Sequence, residues 1–161
     1  MDPTQCREKL KQLMATETRE LKELATLLER EHAHLEGNDV EALEAAALER
    51  QECVGRISKI DEERRALCSA QGYSSDLKGI EDLIRWCDPK GALAGGWAEC
   101  SAAAARCRQL NDDNGVLVAA RLQQVQARLG KLVADRGDAV TYGPRGGYGS
   151  SASGRMLTTE A

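Results

Sequence analysis

The chain contains no phenylalanine, and aromatic residues occupy only 3% of its 161 positions. Rings therefore cannot fill a broad globular core, and what is buried must be aliphatic stripes. The six cysteines, Cys6, Cys53, Cys68, Cys87, Cys100 and Cys107, include no pair at Cys-x-x-Cys spacing, which argues against a zinc or dithiol redox motif. The opening MDPTQCREKL is charged where a secretory leader needs an apolar centre, so reduced thiols in a soluble, cytoplasmic protein are expected. No run approaches the roughly 18 apolar residues that cross a bilayer. A basic patch is lacking too: the net charge is −4, and residues 91 to 134 carry only five bases against three acids. Nucleic acid is thereby set aside as a partner.

What the chain does have is aliphatic periodicity. Leu10, Met14, Leu21, Leu24, Leu28 and Leu35 recur at steps that keep them on one helical face, interrupted by Glu17 and Glu31, and predict one long helix from Pro3 to Leu35 that Gly37 terminates. Asn38, three residues before Glu41, reads as the cap of a second helix with the stripe Leu43, Ala47, Val54, Ile57, Ile60 and Leu67. A connection this short folds the pair back antiparallel. Gly72 closes the second helix, and a short amphipathic piece follows with Leu77, Ile80, Leu83, Ile84 and Trp86. Asp88-Pro89 has the form of a new helix start, a capping carboxylate with proline in the first helical position. Gly95 and Gly96 would weaken that start by about 1 kcal/mol each relative to alanine, placing regular helix from Trp97.

The run NDDNG at residues 111 to 115 has the composition of a turn, yet the phase of the stripe does not reset across it. Cys100, Ala104, Cys107, Asn111, Asn114, Val118, Leu122, Val125, Leu129 and Leu132 follow at steps of three or four, which predicts one helix from Trp97 to Val133. A break at Leu110 with a fifth helix after Gly115 is the alternative. In the continuous helix Asn111 and Asn114 fall on the buried stripe, where an amide costs stability but penalises wrong registers. Cys100 and Cys107, seven residues apart, share its face as small apolar residues.

The fold expected is all-α: a long antiparallel hairpin, a short helix and a third long helix in an elongated three- to four-helix bundle over residues 1 to 134. Residues 135 to 161 hold six of the fifteen glycines and no stripe, and are expected to form a flexible partner-binding tail, since such a segment cannot offset its ordering entropy alone.

Catalytic and metal readings find little support. His32 and His34 belong to two overlapping Glu-x-x-His pairs in LEREHAHLE, but a di-iron site needs one pair on each of two facing helices. Here both lie on one helix about 200° apart. GPRGGYG lacks the lysine of a phosphate loop and follows no strand, and no serine or cysteine has a histidine placed as its base. No metal, cofactor, small-molecule substrate or enzymatic activity is expected. Charge-rich faces such as ETRELKEL and DEERR read as solvated surface.

Taken in order, the paired helices joined through LEGNDVEALE, the helix bearing LNDDNGVLVAARLQQVQARL, and the ending TYGPRGGYGSSASGRML resemble the FlgN family of flagellar type III export chaperones. The strongest element is Asn111-x-x-Asn114-Gly115 leading into Leu117, followed by Thr141-Tyr142-Gly143. Gly95-Gly96 and the six cysteines have no counterpart in that pattern. The resemblance implies a small cytoplasmic chaperone, not an enzyme, that keeps hook-filament junction proteins unpolymerised by binding their C-terminal amphipathic helices and delivers them to the membrane export gate. On that reading Leu117, Leu122, Val125, Leu129 and Leu132, with the tail anchors Val140, Tyr142, Met156 and Leu157, form the client surface of a monomer or weak homodimer. Tyr142 is its contact to gate or client. The ordinary alternative for the helix residues is burial in the chain's own core. For the chain as a whole, it is a structural coiled-coil protein that oligomerises through the same stripe and has no client.

Overall fold

A computed structural model describes residues 1–37 and 39–138. They form four helices, α1 (Pro3–Gly37), α2 (Val40–Ala70), α3 (Leu77–Cys87) and α4 (Ala94–Asp138), and no strand occurs among them. The all-α bundle expected from periodicity is what the chain adopts.

Helix α1 starts with a reciprocal cap: Asp2 Oδ1 accepts from the Gln5 amide at 3.0 Å, while Gln5 Oε1 accepts from the Asp2 amide at 3.3 Å. Pro3 takes the first helical position, where its missing N–H costs nothing. The cap of α2 is Asp39, whose Oδ1 accepts from Ala42 N at 3.0 Å; this corrects the assignment to Asn38, which lies outside the described residues. Gly72, at φ 80°, ends α2 in the left-handed region, where glycine carries no Cβ penalty.

Helix α3 is capped by Asp76, which accepts from Gly79 N at 2.8 Å. Asp88 does not cap a following helix as its pairing with Pro89 suggested. It ends α3, its own N–H donating to Ile84 O at 2.8 Å, and its buried Oδ2 accepts from Leu93 N at 2.7 Å. That bond, with Gly91 at φ 72°, turns the chain over five residues so that α4 begins at Ala94. Gly95 and Gly96 are inside α4, three residues earlier than the regular helix was expected to begin. From there α4 runs without a break through NDDNG to Asp138.

Ion pairs fix the directions of the helices. Arg30–Glu49, Arg56–Glu20 and Lys9–Glu63 link α1 to α2 at 2.7, 2.7 and 3.1 Å, with separations of 19, 36 and 54 residues. Growing separation is the signature of antiparallel helices. Between α1 and α4 the offset is constant: Lys22–Glu99 and Glu29–Arg106 are both 77 residues apart, so these two run parallel.

Two apolar clusters hold the helices together. The first joins Leu10 and Met14 of α1, Ile60 and Leu67 of α2, and Ile80 and Leu83 of α3 to Leu93, with Tyr73 and Trp97 packed against it. The second joins Leu21 and Leu28 of α1 to Cys100, Cys107 and Leu110 of α4. Fully buried leucines such as Leu10, Leu28 and Leu83 each contribute on the order of 1.5–3 kcal/mol relative to exposure. The α2 face is rotated by one residue from the expected stripe in its first half: Ala46 and Cys53 are buried, Ala47 is half-buried and Val54 is exposed.

Candidate functional site

The stripe along α4 changes character part-way along the helix. Cys100, Cys107 and Leu110 are each 7% exposed and Asn114 is 4% exposed, whereas Val118, Leu122, Val125, Leu129 and Leu132 are 52 to 60% exposed. The spacing of the latter five is four, three, four, three, the knobs of a coiled-coil seam. The four from Leu122 to Leu132 extend over about 15 Å at 1.5 Å per residue. Leu122, Val125, Leu129 and Leu132 thus expose large apolar side chains at helical spacing, a pattern of the kind that the apolar face of a helix covers. Its frame is cationic: residues 115 to 134 contain Arg121, Arg128 and Lys131 and no acid.

Asn114 marks the boundary, on the last buried turn of the stripe. Its Nδ2 donates to Leu28 O at 2.9 Å and lies 3.4 Å from Glu31 Oε2, while its Oδ1 is 2.8 Å from His32 Nδ1. Every polar atom of this buried amide is thus used, which is the condition for burying one without a desolvation penalty. Two turns further, the Arg121 guanidinium donates to Glu36 O at 2.8 Å.

Of the residues singled out by sequence, Asn114 is buried, while Asn111 is exposed, one turn back along α4. Leu117 is half-buried. Leu122, Val125, Leu129 and Leu132 are exposed. Val140, Tyr142, Met156 and Leu157 fall outside the described residues. His32 is engaged by Asn114 and lies 3.8 Å from Glu36, and no group of three or more His, Cys, Asp or Glu suited to a metal ion occurs among the described residues.

The sequence reading missed the buried acids of α1. Glu17 and Glu20 are 9% and 7% exposed; Arg64 of α2 reaches Glu17 at 2.6 Å and Arg56 of α2 reaches Glu20 at 2.7 Å. The hydrogen bond from Arg56 holds the Glu20 carboxyl below its ordinary value. Arg64 belongs to DEERR, read as solvated surface, and is instead half-buried. An acid interrupting the apolar stripe of one helix was the available signal, since a carboxylate in that place needs a cation from the facing helix. All six cysteines are buried and free. Burial raises every one of their thiol pKa values, that of Cys87 to about 11, so they act as small core residues rather than nucleophiles.

No helix among the described residues is long and apolar enough to cross a membrane. The model of a protein family described as FlgN protein matches residues 1–150. No curated protein and no solved structure gives a match.

Proposed function

The chain belongs to the FlgN family, whose members are flagellar export chaperones, and on that premise we propose that it binds flagellar hook-filament junction proteins in the cytoplasm and passes them to the type III export gate. The client enters as an amphipathic helix from its C-terminal region and lies along α4 against Leu117, Leu122, Val125, Leu129 and Leu132. Residues 135 to 161 complete the grip through Val140, Tyr142, Met156 and Leu157, with Tyr142 in contact with gate or client. Residues 1 to 134 are the helical bundle domain that carries this surface. Asn114 sets the register of that bundle through its bonds to α1; Asn111, paired with it on the sequence stripe, is exposed and is not assigned that role. The protein works by masking an assembly surface and performs no bond chemistry.

The observation that carries this reading is the five-residue seam from Val118 to Leu132, open at more than half exposure. Such a surface suits a client whose polymerising segment must be covered until export. A coiled-coil oligomer would use the same seam, but a second copy would bring another Arg121, Arg128 and Lys131 to a surface that has no acid of its own. Like charges across a helix pair disfavour that pairing, and a monomer or weak homodimer follows.

The test is co-expression with the C-terminal helical segment of a hook-filament junction protein, read as a complex by gel filtration. The wild-type chain should co-elute with it. Leu122→Asp/Leu129→Asp, and deletion of residues 135 to 161, should each abolish the complex while leaving helical content by circular dichroism nearly unchanged. A complex that survives both changes overturns the assignment.

A further inference from the structure

A second apolar opening lies on the body of the bundle. It is a groove of about 630 Å³ floored by Leu24 and Leu28 of α1, Val54 of α2 and Cys107 of α4, with Arg50 and Arg108 on its rim. Val54, 45% exposed, is the residue by which the α2 stripe departs from expectation: the helix turns Cys53 to the core and leaves Val54 at the opening. Asn111 lines the same groove and is exposed.

The rim is cationic on both sides. Arg50 on α2 spends part of its charge on Glu31 at 3.4 Å. Arg108 on α4 is exposed and makes no ion pair among the described residues. Across an apolar floor this places one partly neutralised and one unneutralised guanidinium, the arrangement that receives carboxylates flanking an apolar stripe.

We propose that this groove, between α2 and α4 over α1, is a docking site for an acidic amphipathic helix of a protein partner, bound independently of the α4 seam. Charge selects this occupant over the chain's own C-terminal segment and over the α4 seam of a second copy. Residues 139 to 161 carry Arg145 and Arg155 against Glu160 alone, so the chain's own end has too little negative charge for the rim. The α4 seam of a second copy is framed by Arg121, Arg128 and Lys131 and would meet like charge. A partner helix with leucines at three-and-four spacing and glutamates on both flanks satisfies floor and rim together.

The probe is a fluorescein-labelled helical peptide of that design, with a twin in which every glutamate is lysine, titrated by anisotropy against the full chain. The acidic peptide should bind at least about tenfold more tightly than its twin. Arg108→Glu, at an exposed position, should reverse that preference. Val54→Lys should weaken the acidic peptide, and Leu122→Asp/Leu129→Asp should leave it unchanged, which separates this site from the proposed client surface. Equal affinity for the two peptides, or an acidic peptide indifferent to Arg108→Glu and Val54→Lys, overturns the proposal. Two other results overturn it by identifying a different occupant: tighter peptide binding once residues 139 to 161 are deleted, or self-association by sedimentation that Val54→Lys abolishes.

Discussion

The side-chain amide of Asn114 donates to the backbone carbonyl of Leu28 at 2.9 Å, and the thiol of Cys107 donates to the carbonyl of Leu21 at 3.0 Å with the same separation of 86 residues. Seven residues apart on α4, these contacts meet carbonyls seven residues apart on α1. Two parallel helices are thereby held in one register by polar contacts within an otherwise apolar seam.

Replacing Asn114 by alanine removes the hydrogen bonds to Leu28 and His32 and leaves a gap beside Glu31. The expected cost is about 1–3 kcal/mol, read as a lower midpoint in urea unfolding at neutral pH. Asn111→Ala, at an exposed position, should shift the midpoint by no more than about 0.5 kcal/mol. Equal effects from the two would show that burial of Asn114 contributes nothing.

Glu20 gives the fold a pH dependence. Its hydrogen bond from Arg56 keeps the native carboxyl below its ordinary value, so the unfolded chain takes up the proton first as the solution is acidified. The stabilisation is fully present above the ordinary carboxylate range and is lost as pH falls through the native value. Glu20→Gln should therefore flatten the stability profile below about pH 5, measured as urea midpoints from pH 6 to 3. Superimposable profiles would remove the ion pair from the account.

Gly79 has no room for a side chain. A methyl group built on it would collide with the carbonyl of Ser74, whose carbon would lie only 2.6 Å away, in the turn that Ser74 and Asp76 build by their 2.6 Å hydrogen bond. Gly79→Ala should cost about 2–4 kcal/mol, in the range of overpacked and strained sites. Gly55→Ala, facing open space inside α2, should be neutral or stabilising by up to about 1 kcal/mol. Thermal midpoints that fall equally for both would contradict the packing described.

The buried thiols should be silent towards a thiol reagent at pH 8 in the native chain, because burial both blocks access and suppresses the thiolate. All six should react in denaturant. Rapid native labelling, counted by mass, would show that one of the clusters opens readily.

Much of this architecture was legible because aliphatic spacing survives local composition. NDDNG has turn residues, yet Asn114 keeps the phase of Cys107 and Val118, and tertiary bonds to α1 satisfy the amide that would otherwise favour a turn. What sequence could not reveal was how the chain's own helices share their faces. Glu17 was visible as an interruption, but its partner Arg64 lies 47 residues away, and nothing local separates that arginine from its solvated neighbours. Asp88 before Pro89 has the chemistry of a helix cap; the amide it satisfies is Leu93 N, a choice fixed by the left-handed turn at Gly91. The seam from Val118 to Leu132 was visible as an apolar stripe. That its side chains are exposed is not something periodicity alone encodes, since the same spacing also marks the buried Cys100, Cys107 and Leu110.

The placement of the two tryptophans decides which optical signals the molecule can give. Trp86 lies beside Tyr73, ring centroids 6.4 Å apart and planes tilted by 46°, and Trp97 packs on the first apolar cluster, so indole emission reports melting of the α3 end. Leu122 follows Trp97 by 25 residues in the sequence. Neither indole belongs to the proposed client surface, so following a guest at that surface by long-wavelength emission calls for a dye attached near the seam itself.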